Sequence, residues 1–333
     1  MNKDLIKLKL KDTIKLKLKK YPNQFRYIQY IYTFLTEKER LMHKKSYGNL
    51  NSDKTILLIR PNTEDGIQGL MSLFIQTMRW IDYAKRKKYI PYIDLQNYKT
   101  QYYDAEHNVW DYFFTQPSSL SLEEVYKSKN VLISGNSWRE SVNISLCRDK
   151  IFTDQDFCKK CYDLIWDNID LSSEVKKILE YENNNLKVEN CIGVYLRGTD
   201  YVKLKPAGEY VQPDITDVME KIDEFIEKYD KDIFLVTEDN SYYQKLLDRY
   251  GKRIKIVSFD KFIKDYNVNT FLSKSGMLDV DKKKRGMDYF VKIILLSRCR
   301  YLISSITTGS LSAYCFNGGK YEDKYIFNLG YYK

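Results

Sequence analysis

Apolar residues along this chain alternate between two spacings, and the alternation sets out its elements. Thr55-Ile-Leu-Leu-Ile-Arg60 is a short continuous apolar run closed by Pro61, the pattern of a buried strand. From Leu70 to Lys85 the residues Leu70, Leu73, Phe74, Thr77, Trp80, Ile81 and Ala84 recur at spacings of three and four, which predicts a helix. Asp65-Gly66-Ile67-Gln68-Gly69 lies between them, so the order is strand, glycine loop, helix. Further strands are expected over 89–95 and 130–134, separated by an aromatic stretch with Trp110, Tyr112, Phe113 and Phe114. These aromatic residues fit a ligand cleft or a core equally well. Helices are expected over 23–43 and 154–181.

The second half repeats the alternation: strand 191–197, helix 214–229, strand 232–237, helix 241–250, strand 253–258, helix 285–299, strand 300–304, and a helix from about 309. Asp214 caps the first of these helices, with Asp217 in its first turn, and Ile215, Val218, Met219, Ile222, Phe225 and Ile226 form its apolar stripe. Strands alternating with helices predict an α/β protein with parallel sheets. The polar, turn-rich stretch 182–190 places a boundary between two doubly wound, Rossmann-like halves facing a cleft. The expected divisions are 1–54, a basic leader and helix; 55–185, a first α/β domain; and 186–333, a second.

With 333 residues, 43% of them hydrophobic, the chain is long enough for two cores. The net charge of +10 is concentrated at the start, where residues 1–20 carry eight lysines against Asp4 and Asp12, interleaved with leucines and isoleucines. Three readings compete for this leader: a solvated extension, a membrane-surface contact and a phosphate-contacting arm. No DNA- or RNA-reading motif follows it, so no nucleic-acid partner is expected. No apolar run approaches the roughly 20 residues of a membrane span, and the leader lacks the apolar core of a secretory signal. The expectation is a cytoplasmic protein, peripheral at the inner face of the membrane where the leader touches lipid. Cys191, Cys299 and Cys315 lie in apolar runs, as reduced buried thiols do. Cys158 and Cys161 form one CxxC without a second pair, and His43 and His107 are the only histidines, so no metal site is expected.

Chemistry is concentrated where three strands end. In a parallel sheet the loops after strands 191–197, 232–237 and 300–304 leave the same carboxyl edge and can meet one ligand. The first carries Arg197, Gly198, Thr199 and Asp200. Arginine offers a planar fork of donors to phosphate oxygens, and a glycine beside it lets a ligand approach the backbone. Asp200 is suited to pin the arginine. The second loop is Thr237-Glu238-Asp239-Asn240; a carboxylate at Glu238 or Asp239 either accepts from the N1 and N2 donors of guanine or caps the next helix. The third, Ser304-Ser305-Ile306-Thr307-Thr308-Gly309-Ser310, joins hydroxyls and a glycine to a helix start, which suits an anion or a plain cap. Glu209, between the arginine loop and the Asp214 cap, is the candidate general base.

The stretch Val194-Tyr-Leu-Arg197-Gly-Thr-Asp200 resembles the His-x-Arg-Arg-x-Asp peptide of the α1,2, α1,6 and protein O-fucosyltransferase superfamily. Ile233 to Asp239 is similar to that superfamily's strand ending in Thr-Asp-Asp, and Leu295 to Ser305 with Gly309 and Ser310 to its last donor-site peptide. The first half, through Asp65–Gly69, Tyr89–Thr100 and Asn108–Phe114, looks like a bacterial polysaccharide-type branch. The resemblance implies a GT-B fold with an acceptor-side first domain and a donor-side second domain. It also implies GDP-fucose as donor substrate, inversion at the anomeric carbon, a glycan or surface-polysaccharide acceptor and no metal or other cofactor. Carried over by position, Arg197 would hold the β-phosphate, Asp239 or Glu238 the guanine, and Ser304, Ser305 and Ser310 the diphosphate; Tyr195, Gly198, Asp200, Thr308 and Gly309 complete the expected donor-binding set. The family histidine is Tyr195 here and its second arginine is Gly198. These departures leave two alternatives: a transferase of another GDP-sugar, and a catalytically decayed nucleotide-sugar-binding protein.

Overall fold

The computed structural model describes residues 27, 28, 30, 31, 34, 35, 40–62, 68–136, 148–266, 269–278 and 281–333. They fall into two units, one drawn from 1–64, 76–94 and 117–145, the other from 65–75, 95–116 and 146–333. The basic leader, Asp65, Gly66, Ile67 and Cys147 lie outside the described residues.

In the first unit, strands β1 (His43–Lys45), β2 (Ile56–Ile59), β3 (Ile90–Ile93) and β4 (Val131–Ile133) form a sheet in the order β1-β4-β2-β3. Strand β2 runs parallel to both neighbours and β1 antiparallel to β4. All four side chains of β2 are buried, which is why its sequence is a continuous apolar run and not an alternating one. Helix α1 (Leu70–Lys87) follows β2, and the short α2 (Leu122–Val125) starts at a capping box formed by Ser121 and Glu124. The helix expected over 23–43 is corrected at its end. Residues 27, 28, 30, 31, 34 and 35 are helical, but His43 opens β1, because His43-Lys44-Lys45 finds backbone partners along β4 and leaves its lysines exposed at a sheet edge.

The longest stretch of the second unit, 146–333, begins with α3 (Arg148–Ile151), α4 (Gln155–Trp166) and α5 (Ser173–Leu186). One helix over 154–181 was the expectation. The chain instead breaks at 167–172, where Leu171 bridges Phe114 and the Thr115 N–H donates to the Asp170 carbonyl, 2.8 Å. Ser172 then caps α5. The expected boundary at 182–190 also moves. Helix α5 continues through Leu186, and Glu182, only 2% exposed, accepts from Ser258 N (3.0 Å) and Ser258 Oγ. A polar stretch that looks like a linker is thus bonded to the interior, and residues 146–185 belong to the second unit.

Strand β5 (Ile192–Tyr195), α6 (Thr199–Leu204), α7 (Ile215–Tyr229), β6 (Ile233–Val236), α8 (Asn240–Tyr250), β7 (Ile254–Lys255), α9 (Lys282–Arg298), β8 (Tyr301–Ser305), α10 (Thr308–Asn317) and β9 (Asp323–Phe327) complete the unit. The five strands are all parallel, in the order β7-β6-β5-β8-β9. Ile192, Val194, Ile233, Leu235 and Ile303 meet the Val218 and Ile222 stripe of α7 on one face. On the other, α9 comes so close that a Cβ on Gly193 would lie 2.7 Å from Leu296 Cδ1. The strand expected over 253–258 shrinks to two residues, since Ser258 gives its donors to Glu182 and not to a neighbouring strand. Trp110 is core, stacked on Phe114 at 4.6 Å, while Tyr112 is not buried. Burial pushes the Cys158 thiol up to about 12 and the Cys191 thiol up to about 11. Among the described residues no helix is long and apolar enough to cross a membrane, and no group of His, Cys, Asp or Glu is placed to hold a metal ion.

Candidate functional site

Strand order reverses beside β5: β6 and β7 lie on one side, β8 and β9 on the other. Open parallel sheets hold ligands beyond the carboxyl ends of their strands at such a point. The loops that leave β5, β6 and β8 there are the three singled out by their sequence.

Arg197 follows β5. Its Nη2 donates to Asp200 Oδ1 (3.2 Å), its guanidinium lies 4.3 Å from the Tyr201 ring centre, and its Nε, 3.6 Å from Glu238 Oε1, is buried without a hydrogen bond. The side chain is 27% exposed. Burial works against its charge, but Glu238 and then Asp200 outweigh it and hold the guanidinium well above its ordinary value. Asp200 is 2% exposed, and its Oδ2 also accepts from the Leu272 N–H, 2.9 Å. Burial raises the Glu238 carboxyl, with Arg197 pulling the other way.

Gly198 has a reason other than room for a ligand. A Cβ there would lie 2.5 Å from Asp239 Cβ, so the glycine admits the neighbouring loop. Thr199 next to it takes a positive φ of 41° and turns its N–H to Asp239 Oδ2 (3.0 Å) and its Oγ1 to Glu238 Oε1 (3.0 Å). A β-branched residue with positive φ is strained, and here two hydrogen bonds hold it. Asp239 caps α8, its Oδ1 accepting from Ser241 N (2.8 Å) and Tyr242 N (3.2 Å). Both Asp239 oxygens are therefore engaged within the fold.

In the third loop Thr307 caps α10 in a reciprocal box with Ser310, whose Oγ donates to the Ser305 carbonyl, 2.6 Å. Ser305 Oγ donates to Gln212 Oε1, 2.6 Å. The hydroxyls of Ser305 and Ser310 are thus spent on protein partners, whereas fully buried Ser304 has an Oγ with no partner. The backbone N–H groups of Thr308 and Gly309 are first-turn donors that the cap leaves open. Tyr195, at the end of β5, comes to Gly309 through its hydroxyl, as does Tyr289 from α9. Glu209 sits on segment 208–212, which pairs with the last residues through Tyr332 N to Glu209 O (2.9 Å) and reaches the third loop through Gln212.

No family model matches the chain, and no curated protein matches it. Solved structures are similar to it in outline. Fucosyltransferase NodZ from Bradyrhizobium is 15% identical, over 78% of this chain and 92% of that one, with a TM-score of 0.44. POFUT1 in complex with GDP is 9% identical over 84% of this chain and 100% of that one, TM-score 0.46. A variant of FUT1 from Arabidopsis thaliana in complex with GDP is 9% identical over 90% of this chain and 74% of that one, TM-score 0.48.

Gln212, Leu272 and Tyr289 are site neighbours that sequence reasoning passes over. Leu272 acts through its backbone N–H, which no side-chain pattern reports. Tyr289 lies on a helix whose spacing singles out no position, and only the Gly309 close to its hydroxyl hints that something packs against that turn.

Proposed function

We propose that the chain is a GT-B glycosyltransferase of the fucosyltransferase-like superfamily. It takes a GDP-sugar, GDP-fucose on the motif resemblance, and passes the sugar with inversion and without a metal ion to a glycan hydroxyl. The observation that carries this reading is convergence at one sheet edge: β5 ends in Tyr195 and then Arg197, whose guanidinium is held by Asp200 and Glu238, and the neighbouring parallel β8 leads into the start of α10, where the Tyr195 hydroxyl lies against Gly309. Diphosphate chemistry fits that pairing of a fork-shaped cation with backbone N–H groups at a helix start.

In the reaction an acceptor oxygen forms a bond to the anomeric carbon while the bond to the diphosphate oxygen breaks, and the acceptor proton passes to a base, for which Glu209 is the candidate. Negative charge builds on the departing diphosphate. Arg197, fixed by Asp200, Glu238 and the Tyr201 ring, and the Thr308 and Gly309 N–H groups meet that charge without reorganising. One preorganised donor is worth about 3 to 4 kcal/mol at the transition state. Both Asp239 oxygens are engaged in the fold and Glu238 Oε1 accepts from Thr199, so the guanine edge is assigned to the other oxygen of Glu238. The acceptor is proposed to be a surface-polysaccharide precursor, with the work done at the inner face of the membrane.

Calorimetric titration with GDP, ADP, UDP and GDP-fucose tests the donor. GDP-selective binding that falls at least tenfold in Arg197→Ala is the expected result. Equal binding of the three nucleotides, or an Arg197→Ala protein that binds GDP as the parent does, overturns the reading.

A further inference from the structure

Tyr289 stands on α9, outside the three loops, yet its hydroxyl reaches the start of α10. A methyl group built on Gly309 would lie 2.7 Å from Tyr289 Oη and 2.5 Å from Tyr195 Oη. The two hydroxyls are 3.5 Å apart. Two phenols thus lie against the turn whose Thr308 and Gly309 N–H groups are open. A third unspent group is nearby in the sheet. Ser304 is in register with Tyr195 across β5 and β8, so both side chains leave the same face, and its fully buried Oγ has no partner. Buried hydroxyls in native proteins are almost always bonded, and an exception at a ligand edge points to a partner from outside the chain.

We propose that Tyr289 is a further diphosphate-binding residue, its hydroxyl, oriented by Tyr195, donating to a diphosphate oxygen at the start of α10. This rests on the donor-site reading above. Where the resembling motif carries a second arginine this chain has Gly198, and Asp239 fills the space beside it, so no cation enters from that side. A neutral donor from α9 approaches the same anion from another direction. Of the two phenols Tyr195 is the more deeply buried, and when it donates to Tyr289 the Tyr289 proton is left for the ligand. Burial, and then Tyr195, holds the Tyr289 phenol well above its ordinary value, so the proton is present throughout the neutral range.

The test is GDP and guanosine affinity, by calorimetry, in the full chain and in Tyr289→Phe, Tyr195→Phe and Arg197→Ala. Tyr289→Phe removes one oxygen and keeps the ring, and is expected to weaken GDP about tenfold or more, the scale of a hydrogen bond to a charged group, with guanosine affinity unchanged. Tyr195→Phe is expected to weaken GDP about threefold, again leaving guanosine untouched, and stands in should Tyr289→Phe not fold. GDP affinity within twofold of the parent in the folded phenylalanine variants, with Arg197→Ala defective, overturns this inference alone. Unchanged GDP affinity in Arg197→Ala overturns the donor-site reading, and the inference with it.

Discussion

Arg197 is held by two carboxylates, and that surplus of negative charge has a measurable consequence. Asp200 is fully engaged by Leu272 N and Arg197, while Glu238 is raised by burial and only partly offset by the guanidinium. Its folded value therefore lies above the unfolded one, about 4.3 for glutamate. The folded state holds the proton more tightly, so the stability from this group is fully present below about pH 4.3 and is lost as pH rises through the folded value. The melting temperature of the parent is expected to fall relative to that of Glu238→Gln between about pH 4 and neutrality. A difference between the two that does not change with pH would show an unshifted carboxyl. At this scale Arg197 was legible because a polar fork at the end of an apolar run is rare. The reason for Gly198 was not, because the Asp239 it admits comes from another strand.

Among the elements, α10 is the one whose start carries function. Thr307 and Ser310 bond reciprocally there, and the turn they shape holds the Thr308 and Gly309 N–H groups in place. Loss of a threonine cap costs about 1 kcal/mol. Thr307→Ala is expected to lower the free energy of urea unfolding by that amount, read as a lower midpoint at unchanged slope, and an unaltered midpoint would mean that the box contributes nothing. Caps of this kind are readable from sequence, as Asp214 was for α7, because donor and acceptor lie within a few residues. The break between α4 and α5 was not readable. It depends on Leu171 and Asp170 finding Phe114 and Thr115 more than fifty positions earlier.

On the scale of the molecule, the second unit is assembled from three separate stretches of chain. Its aromatic core shows why. Phe290 of α9 meets Phe114 at 4.8 Å and Phe113 at 5.4 Å, and Phe316 of α10 meets Phe74 at 4.8 Å. A fragment of residues 186–333, the domain expected from the polar boundary, leaves Phe290 and Phe316 without these partners. Exposed aromatic surface of that kind favours aggregation over a cooperative fold. The fragment is expected to show no cooperative thermal transition by near-ultraviolet circular dichroism, and a sharp one would restore the expected boundary.

The sequence by itself determined the α/β alternation, the parallel strands and the three loops that meet at one sheet edge. Each follows from local information: the spacing of apolar residues, the turn signals between them and the chemistry of a few polar side chains at strand ends. Only the tertiary structure decided which hydroxyls are spent inside the loops and which stay open, that Asp239 is locked to Thr199, that Tyr289 joins Tyr195 at Gly309, and where one unit ends. These depend on pairs of residues far apart in the chain, whose contacts are chosen by close packing and by the need to bond every buried polar group.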